Sequence, residues 1–176
     1  MMLSHNEILK EIEKGNIKIT PFELENVGPC SVDLRLGYEF RKFNKKAINE
    51  KITTVKVTNE TDSSDFSTLI KLRKNEVYIL KPNELVLGVT LEKLKLSNKI
   101  CAKLDGRSRF ARLGLTVHVS SSLIQPGVNN VQVLEISNLS PFNLAISPGL
   151  KICQITFHEL TSSAQYTGQF KNQTLP

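Results

Sequence analysis

Residues 131–157 read VQVLEISNLSPFNLAISPGLKICQITF. Three short apolar runs, VQVLEI, FNLAI and KICQITF, are separated here by Pro141 and by Pro148-Gly149. Proline lacks a backbone N–H and fixes φ, and Pro-Gly pairs mark turns. The stretch therefore reads as strand, turn, strand, turn, strand. Along VQVLEI, Val131, Val133 and Glu135 fall on one face of a strand and Gln132, Leu134 and Ile136 on the other.

The same texture extends upstream. VYIL from Val77, ELVLGVTL from Glu84, KICAKL from Lys99 and GLTVHV from Gly114 are further strand-like runs, punctuated by Pro82-Asn83 and Pro126-Gly127. VDLRLGYEF alternates, with Val32, Leu34 and Leu36 on one face and Asp33 and Arg35 on the other. Many short strands between turn signals predict an all-β barrel or sandwich. No long helical pattern separates them, which argues against a βαβ sheet. Ser4-His5-Asn6-Glu7 has the form of a capping box. Ile8, Leu9 and Ile12 follow at helical spacing and Gly15 is the expected stop, so one short N-terminal helix is predicted. Residues from about 41 to 74 are polar and are read as hairpins and loops with weak strands such as TVKV, residues 54–57. The last segment, SSAQYTGQFKNQTLP, is polar and is read as a mobile tail that orders over a ligand, a frayed terminus being the plainer reading. With no repeat or linker, residues 1–176 form a single domain, of which about 160–176 are a polar C-terminal lid segment.

Composition narrows the function classes. At 176 residues and 40% apolar content the chain can bury a core without staples. The three cysteines, Cys30, Cys101 and Cys153, are odd in number and widely spaced, against both a disulfide framework and a zinc site. No apolar run approaches the roughly 18 residues of a membrane span, and the N-terminus has no secretory pattern, so a cytoplasmic protein with no membrane partner is expected. The net charge of +6 favours anionic partners. The densest basic cluster, KFNKK from Lys42, reads as a solvated loop. The aromatics are not interleaved with basic residues, which argues against nucleic acid.

Three pieces carry chemistry. In Asp105-Gly106-Arg107-Ser108-Arg109-Phe110-Ala111-Arg112, three guanidinium groups surround a small hydroxyl just after a glycine. Arg presents a planar fork matching phosphate oxygens, and a short helix starting at Ser108 would add its N-terminus. A basic surface turn is the plainer reading of the same residues. Glu135 sits on a strand whose two faces are largely apolar, so partial desolvation of its carboxylate is expected, as suits proton transfer. The plainer reading is a strand-end carboxylate that reaches solvent. His118 opens the turn HVSSSLIQPG, where it reads as a structural histidine beside serines able to serve a polar ligand.

In their order and spacing, these pieces resemble the dCTP deaminase family, which shares its fold with the trimeric dUTPases. The resemblance runs through GPCSVDLRLGYEF, ELVLGVTLE, DGRSRFARLGLTVHV, the IQPG turn, VLEISN, LAISPGLKICQITF and the tail YTGQFKNQTLP. It implies a mostly β, distorted barrel or jelly-roll-like dUTPase-type fold, with one short N-terminal helix and a mobile C-terminal tail. It also implies hydrolytic deamination of dCTP to dUTP and ammonia, with Glu135 as general acid/base and Ser108 and Arg112 supporting the reaction centre. Nucleotide binding would fall to Arg107, Ser108, Arg109, Phe110, Ala111 and Arg112, to Gln125, and to Val133, Leu134 and Glu135. Tyr166, Gln169 and Gln173 would close over the phosphates. The resemblance further implies a homotrimer with sites between subunits and Mg²⁺ carried on the triphosphate, with no metal ligands of the protein's own. The H-x-E and P-C-x-x-C pattern of zinc nucleobase deaminases is absent from the sequence.

The chain departs from the family pattern at four places. Arg109 stands for a usual second serine, Gln125 for an aspartate and Gln169 for a frequent lysine, and the tail is a few residues shorter around NQTLP. An amide at Gln125 cannot act as a base, which argues against hydrolysis of dUTP. The alternatives are a dUTPase, a bifunctional enzyme taking dCTP to dUMP, and a nucleotide-binding module without catalysis, for which dUTP or dTTP is a further ligand.

Overall fold

Alternation along VDLRLGYEF becomes a long strand because Val32, Leu34, Leu36 and Phe40 all enter the core, each no more than 1% exposed. Each such side chain contributes roughly 1.5–3 kcal/mol on burial. The computed structural model describes residues 1–43 and 54–176. In chain order the elements are α1 (His5–Glu13), β1 (Ile17–Thr20), β2 (Val32–Phe43), β3 (Ser67–Lys71), β4 (Tyr78–Leu80), β5 (Leu85–Leu96) and β6 (Ile100–Gly106). The one-turn α2 (Ser108–Ala111) follows, then β7 (Leu115–Thr116), β8 (Leu123–Ile124), β9 (Asn129–Asn138), β10 (Leu144–Ile146) and β11 (Lys151–Glu159).

Nine strands make one antiparallel sheet in the order β7-β9-β5-β2-β11-β6-β8, with β1 added to β5 and β3 to β2. Strands β4 and β10 form a separate pair. The long strands change partners along their length. β2 meets β11 through Val32–Arg35 and β5 through Leu36–Lys42, and the register slips between Leu36 and Phe40. β5 slips against β9 between Val89 and Lys93. Extra residues of this kind bend a strand, so the sheet curls around its core. The fold is mostly β, with one main helix.

Helix α1 stands where expected, but its cap differs. The Ser4 hydroxyl donates to the Glu7 carboxylate instead of accepting a backbone N–H. At the other end Gly15, at φ +75°, donates to Ile12 O while Asn16 donates to Glu11 O, the paired bonds of a Schellman stop. The strand reading needs correction between 41 and 74. TVKV is exposed and pairs with no strand among the described residues, while the unforeseen β3 pairs with the end of β2. Lys42 and Phe43 of the basic KFNKK cluster continue β2, and residues 44–46 lie outside the described residues. GLTVHV forms a strand only at Leu115–Thr116.

A buried amide ties the small sheet to the large one. Asn138, fully buried, donates from Nδ2 to Leu80 O and Phe142 O, and its Oδ1 accepts from the Ser140 N–H and hydroxyl. Every hydrogen-bonding position of that side chain is used.

Candidate active site

On β9, burial alternates strictly from Asn129 to Asn138. Leu134 and Ile136 lie in the core, while Val131, Val133 and Glu135 line a pocket of about 460 Å³ on the opposite face. The Leu134 side chain therefore faces away from the pocket, and only its backbone is available to a ligand there. Leu87 of β5, directly opposite Glu135, and Gln125 complete part of the same wall.

The Glu135 carboxylate is held from the turn that follows His118. Its Oε2 accepts the Val119 N–H at 2.6 Å and the Ser120 N–H at 3.2 Å. Charge-assisted bonds of this kind fix the orientation of a half-buried carboxylate. Its other oxygen, Oε1, takes no hydrogen bond among the described residues. The sequence suggested that this turn supplies backbone groups, but not that Glu135 itself receives them. His118 is placed structurally, its Nε2 3.8 Å from Asp105 Oδ1. Its Nδ1 is buried without a hydrogen-bond partner among the described residues.

The tail supplies a further part of the wall. Tyr166, Phe170, Gln173 and Pro176 all line the Glu135 pocket. Asn130 Nδ2 donates to Phe170 O at 2.7 Å, and the Val131 N–H donates to Gln173 O at 3.1 Å. Upstream, the Tyr166 N–H donates to Pro126 O at 3.0 Å beside Gly127. At φ +78°, and with a hypothetical Cβ only 2.8 Å from Asn98 Oδ1, position 127 requires glycine for the tail to come this close. The tail expected to be mobile thus lies folded along β9, with Tyr166 and Gln173 on the wall of the same pocket as Glu135. Gln169 is exposed and outside the pocket wall. Phe170 and Asn130 were missed. The Asn129-Asn130 pair just before the VQVLEI run is the signal that could have pointed to the latter.

The basic turn stands apart. Arg107, Ser108, Arg109, Phe110, Ala111 and Arg112 do not line the Glu135 pocket of the same chain. Ser108 opens α2 as anticipated, and the first amides of a helix have no partner within it. Ser108, Arg109, Ala111 and Arg112 are exposed, while Phe110 packs against the core. Neither Arg109 nor Arg112 has a carboxylate partner among the described residues. Arg107 differs from both. Its Nη2 lies 3.1 Å from Asp33 Oδ2 and its Nη1 donates to Lys151 O at 3.0 Å, so its guanidinium is turned into the fold.

A family model described as dCTP deaminase-like matches residues 2–160. The chain belongs to that family. Among relatives named "dCTP deaminase, dUMP-forming", the protein of Dictyoglomus thermophilum is 36% identical over 169 residues, covering 94% of this chain and 84% of the relative. The protein of Pseudarthrobacter chlorophenolicus, with the same name, is 35% identical over 176 residues, covering 98% and 89%. In fold, this member of the dCTP deaminase-like family is similar to the 2'-deoxycytidine 5'-triphosphate deaminase of Agrobacterium tumefaciens, with a TM-score of 0.65 and 20% identity. That similarity covers 89% of this chain, which spans about half, 47%, of the Agrobacterium chain.

Proposed function

We propose that the protein deaminates dCTP, releasing ammonia, with Glu135 as general acid/base. The observation that carries this reading is the Glu135 carboxylate, anchored by the Val119 and Ser120 amides and opening on a pocket of nucleotide dimensions. The family's relatives are named for the same substrate. Water attacks C4 of cytosine while Glu135 takes one of its protons. The tetrahedral carbon then holds both a hydroxyl and an amino group. Glu135 passes that first proton to N3, which has taken up the C4–N3 double-bond pair, and then carries the hydroxyl proton to the amine; the C4–N bond breaks, ammonia leaves and the C4 carbonyl forms. The products are dUTP and ammonia, and the carboxylate is regenerated. One positioned acid/base group contributes about 10²–10⁴-fold to such a step.

Ser108 and Arg112 support the reaction centre, and Arg109 adds charge to the triphosphate cradle. That α2 does not line its own chain's pocket supports a neighbouring copy supplying these groups, in a homotrimer with sites between subunits. Val133 and the backbone at Leu134 flank the base. Gln125, Tyr166, Gln169 and Gln173 serve the sugar and phosphates. The substrate is the Mg²⁺ complex of dCTP, its ion riding on the phosphates. Among the described residues no three His, Cys, Asp or Glu side chains converge as metal ligands. The setting is the cytoplasm, and no helix among the described residues is long and apolar enough to cross a membrane.

A second reading extends the reaction to dUMP and pyrophosphate, favoured by the relatives' "dUMP-forming" names. Gln125 on the pocket wall weighs against it, since an amide cannot draw a proton from a second water. Purified protein incubated with Mg·dCTP and with Mg·dUTP, followed by chromatography and ammonia and pyrophosphate assays, separates the readings. Ammonia and dUTP support the first, and dUMP with pyrophosphate the second. Full activity in Glu135→Gln overturns the assignment of the acid/base. Nucleotide binding without any product leaves a non-catalytic module.

A further inference from the structure

Resting on the deaminase reading, we infer that Arg107 is a strut and that Asp33 is the positioning residue which, through it, sets the α2 cradle for the triphosphate. Five residues of the cradle run from Arg107 to Ala111, yet its helix is a single turn, Ser108–Ala111. One turn of helix is not stable by itself, because nucleation fixes several residues for one hydrogen bond. Something outside the turn must hold it in place.

The sheet does so from two strands. Asp33 on β2, Gln154 on β11 and Asp105 on β6 are direct cross-strand partners, so their side chains project from one face in a row. From this row Asp33 Oδ2 meets Arg107 Nη2 at 3.1 Å. The Lys151 carbonyl, on β11, takes Arg107 Nη1 at 3.0 Å. Gln154 Nε2 donates to Gly106 O at 3.2 Å, and the Gln154 Oε1 is itself held by the Ser31 hydroxyl at 3.2 Å. The last two residues before the helix, Gly106 and Arg107, are thus pinned from below by side chains and a carbonyl of β2 and β11.

The Asp33–Arg107 pair is about three-quarters buried, at 22% and 25% side-chain exposure. That places it beyond the weak class of fully solvated surface pairs. An arginine so engaged has two of its nitrogens already bonded within the fold. Arg109 and Arg112, exposed and without carboxylate partners among the described residues, are the cations left for phosphate. The three arginines of DGRSRFAR therefore divide into one structural and two ligand-facing groups. The difference lies in whether an acidic residue of another strand is within reach.

A double-mutant cycle tests the strut. Asp33→Asn removes the charge and keeps the size. Arg107→Lys keeps the charge but cannot span Asp33 and the Lys151 carbonyl at once. Each is expected to lower kcat/KM for Mg·dCTP about tenfold or more, because small misplacement of a binding group is costly. The double variant is expected to be no worse than the poorer single one, since both remove the same link. Asp33→Glu is expected to recover part of the loss. Hydrogen exchange, read in parallel, needs no activity. Amides of Phe110, Ala111 and Arg112 should lose protection in Asp33→Asn while those of β9 do not. Independent, additive losses in the cycle overturn the inference, as does an Asp33→Asn variant with undiminished kcat/KM. Unchanged exchange at α2 overturns it too, even if the wild-type protein releases no ammonia from dCTP. That last result by itself counts against the deaminase reading and leaves the strut to be judged by exchange.

Discussion

The Val119 N–H donates to Glu135 Oε2 at 2.6 Å, joining the turn after His118 to the middle of β9. The contact orients the one Asp or Glu side chain that lines the pocket among the described residues and makes its position depend on a loop. Shortening the side chain should therefore matter even though charge is kept. Glu135→Asp draws the carboxylate back by a methylene, out of reach of at least one of the two amides. It is expected to lower the rate of ammonia release from dCTP about 100-fold with an unchanged circular dichroism spectrum. A variant as fast as wild type would show that the placement of this group is not critical.

Gly127→Ala should displace the tail. The added Cβ would sit 2.8 Å from Asn98 Oδ1 and 3.2 Å from Gln165 Cγ, on a backbone at φ +78° that disfavours side chains. Strain of this kind costs about 1 kcal/mol or more. The expected outcome is faster proteolysis between residues 160 and 176 and a several-fold higher KM for dCTP. Equal cleavage rates in the two proteins would remove Gly127 from the account of tail docking.

Asn138→Ala should be among the more destabilising single changes. It strips two donors' worth of bonds from the Leu80 and Phe142 carbonyls and leaves the Ser140 N–H and hydroxyl without their shared acceptor. Buried groups left unpaired cost about 1–3 kcal/mol each, so a loss of about 3 kcal/mol is expected from urea unfolding monitored by circular dichroism. A loss below about 1 kcal/mol would contradict the network.

Glu84 links acid stability to the pairing of β4 and β10 with the rest of the fold. Burial by itself would raise its pKa, but the Lys81 N–H, the Lys42 ammonium and the Tyr78 hydroxyl outweigh burial and hold it below the ordinary 4.5. A carboxylate depressed on folding contributes stability that is complete above its unfolded value. That contribution fades as pH falls from about 4.5 through the lower folded value. Glu84→Gln is expected to flatten stability against pH in that acid range, measured as urea midpoints between pH 6 and pH 3. An unaltered acid slope would exclude Glu84 as its source.

Much of the β architecture was legible from local signals. Alternation in VDLRLGYEF and VQVLEI assigns faces correctly because a strand's side-chain period is a property of the strand alone. Helix α1 and its Gly15 stop are equally local. TVKV and STLIK were harder, since which of two weak runs becomes a strand depends on which one finds an open edge, here the far end of β2.

The site divides the same way. That Glu135 shares a face with Val131 and Val133, and that an arginine-rich turn follows Gly106, could be read along the chain. Which arginine turns inward could not, because Asp33 reaches Arg107 only after β2 and β6 have both been laid against β11. Nor could the sequence tell that two amides after His118 would hold Glu135, or that Asn130 would seat the tail on β9. Periodicity depends on neighbours in the chain, whereas ion pairs and hydrogen-bond partners depend on register between distant strands. Tertiary structure alone decides the latter.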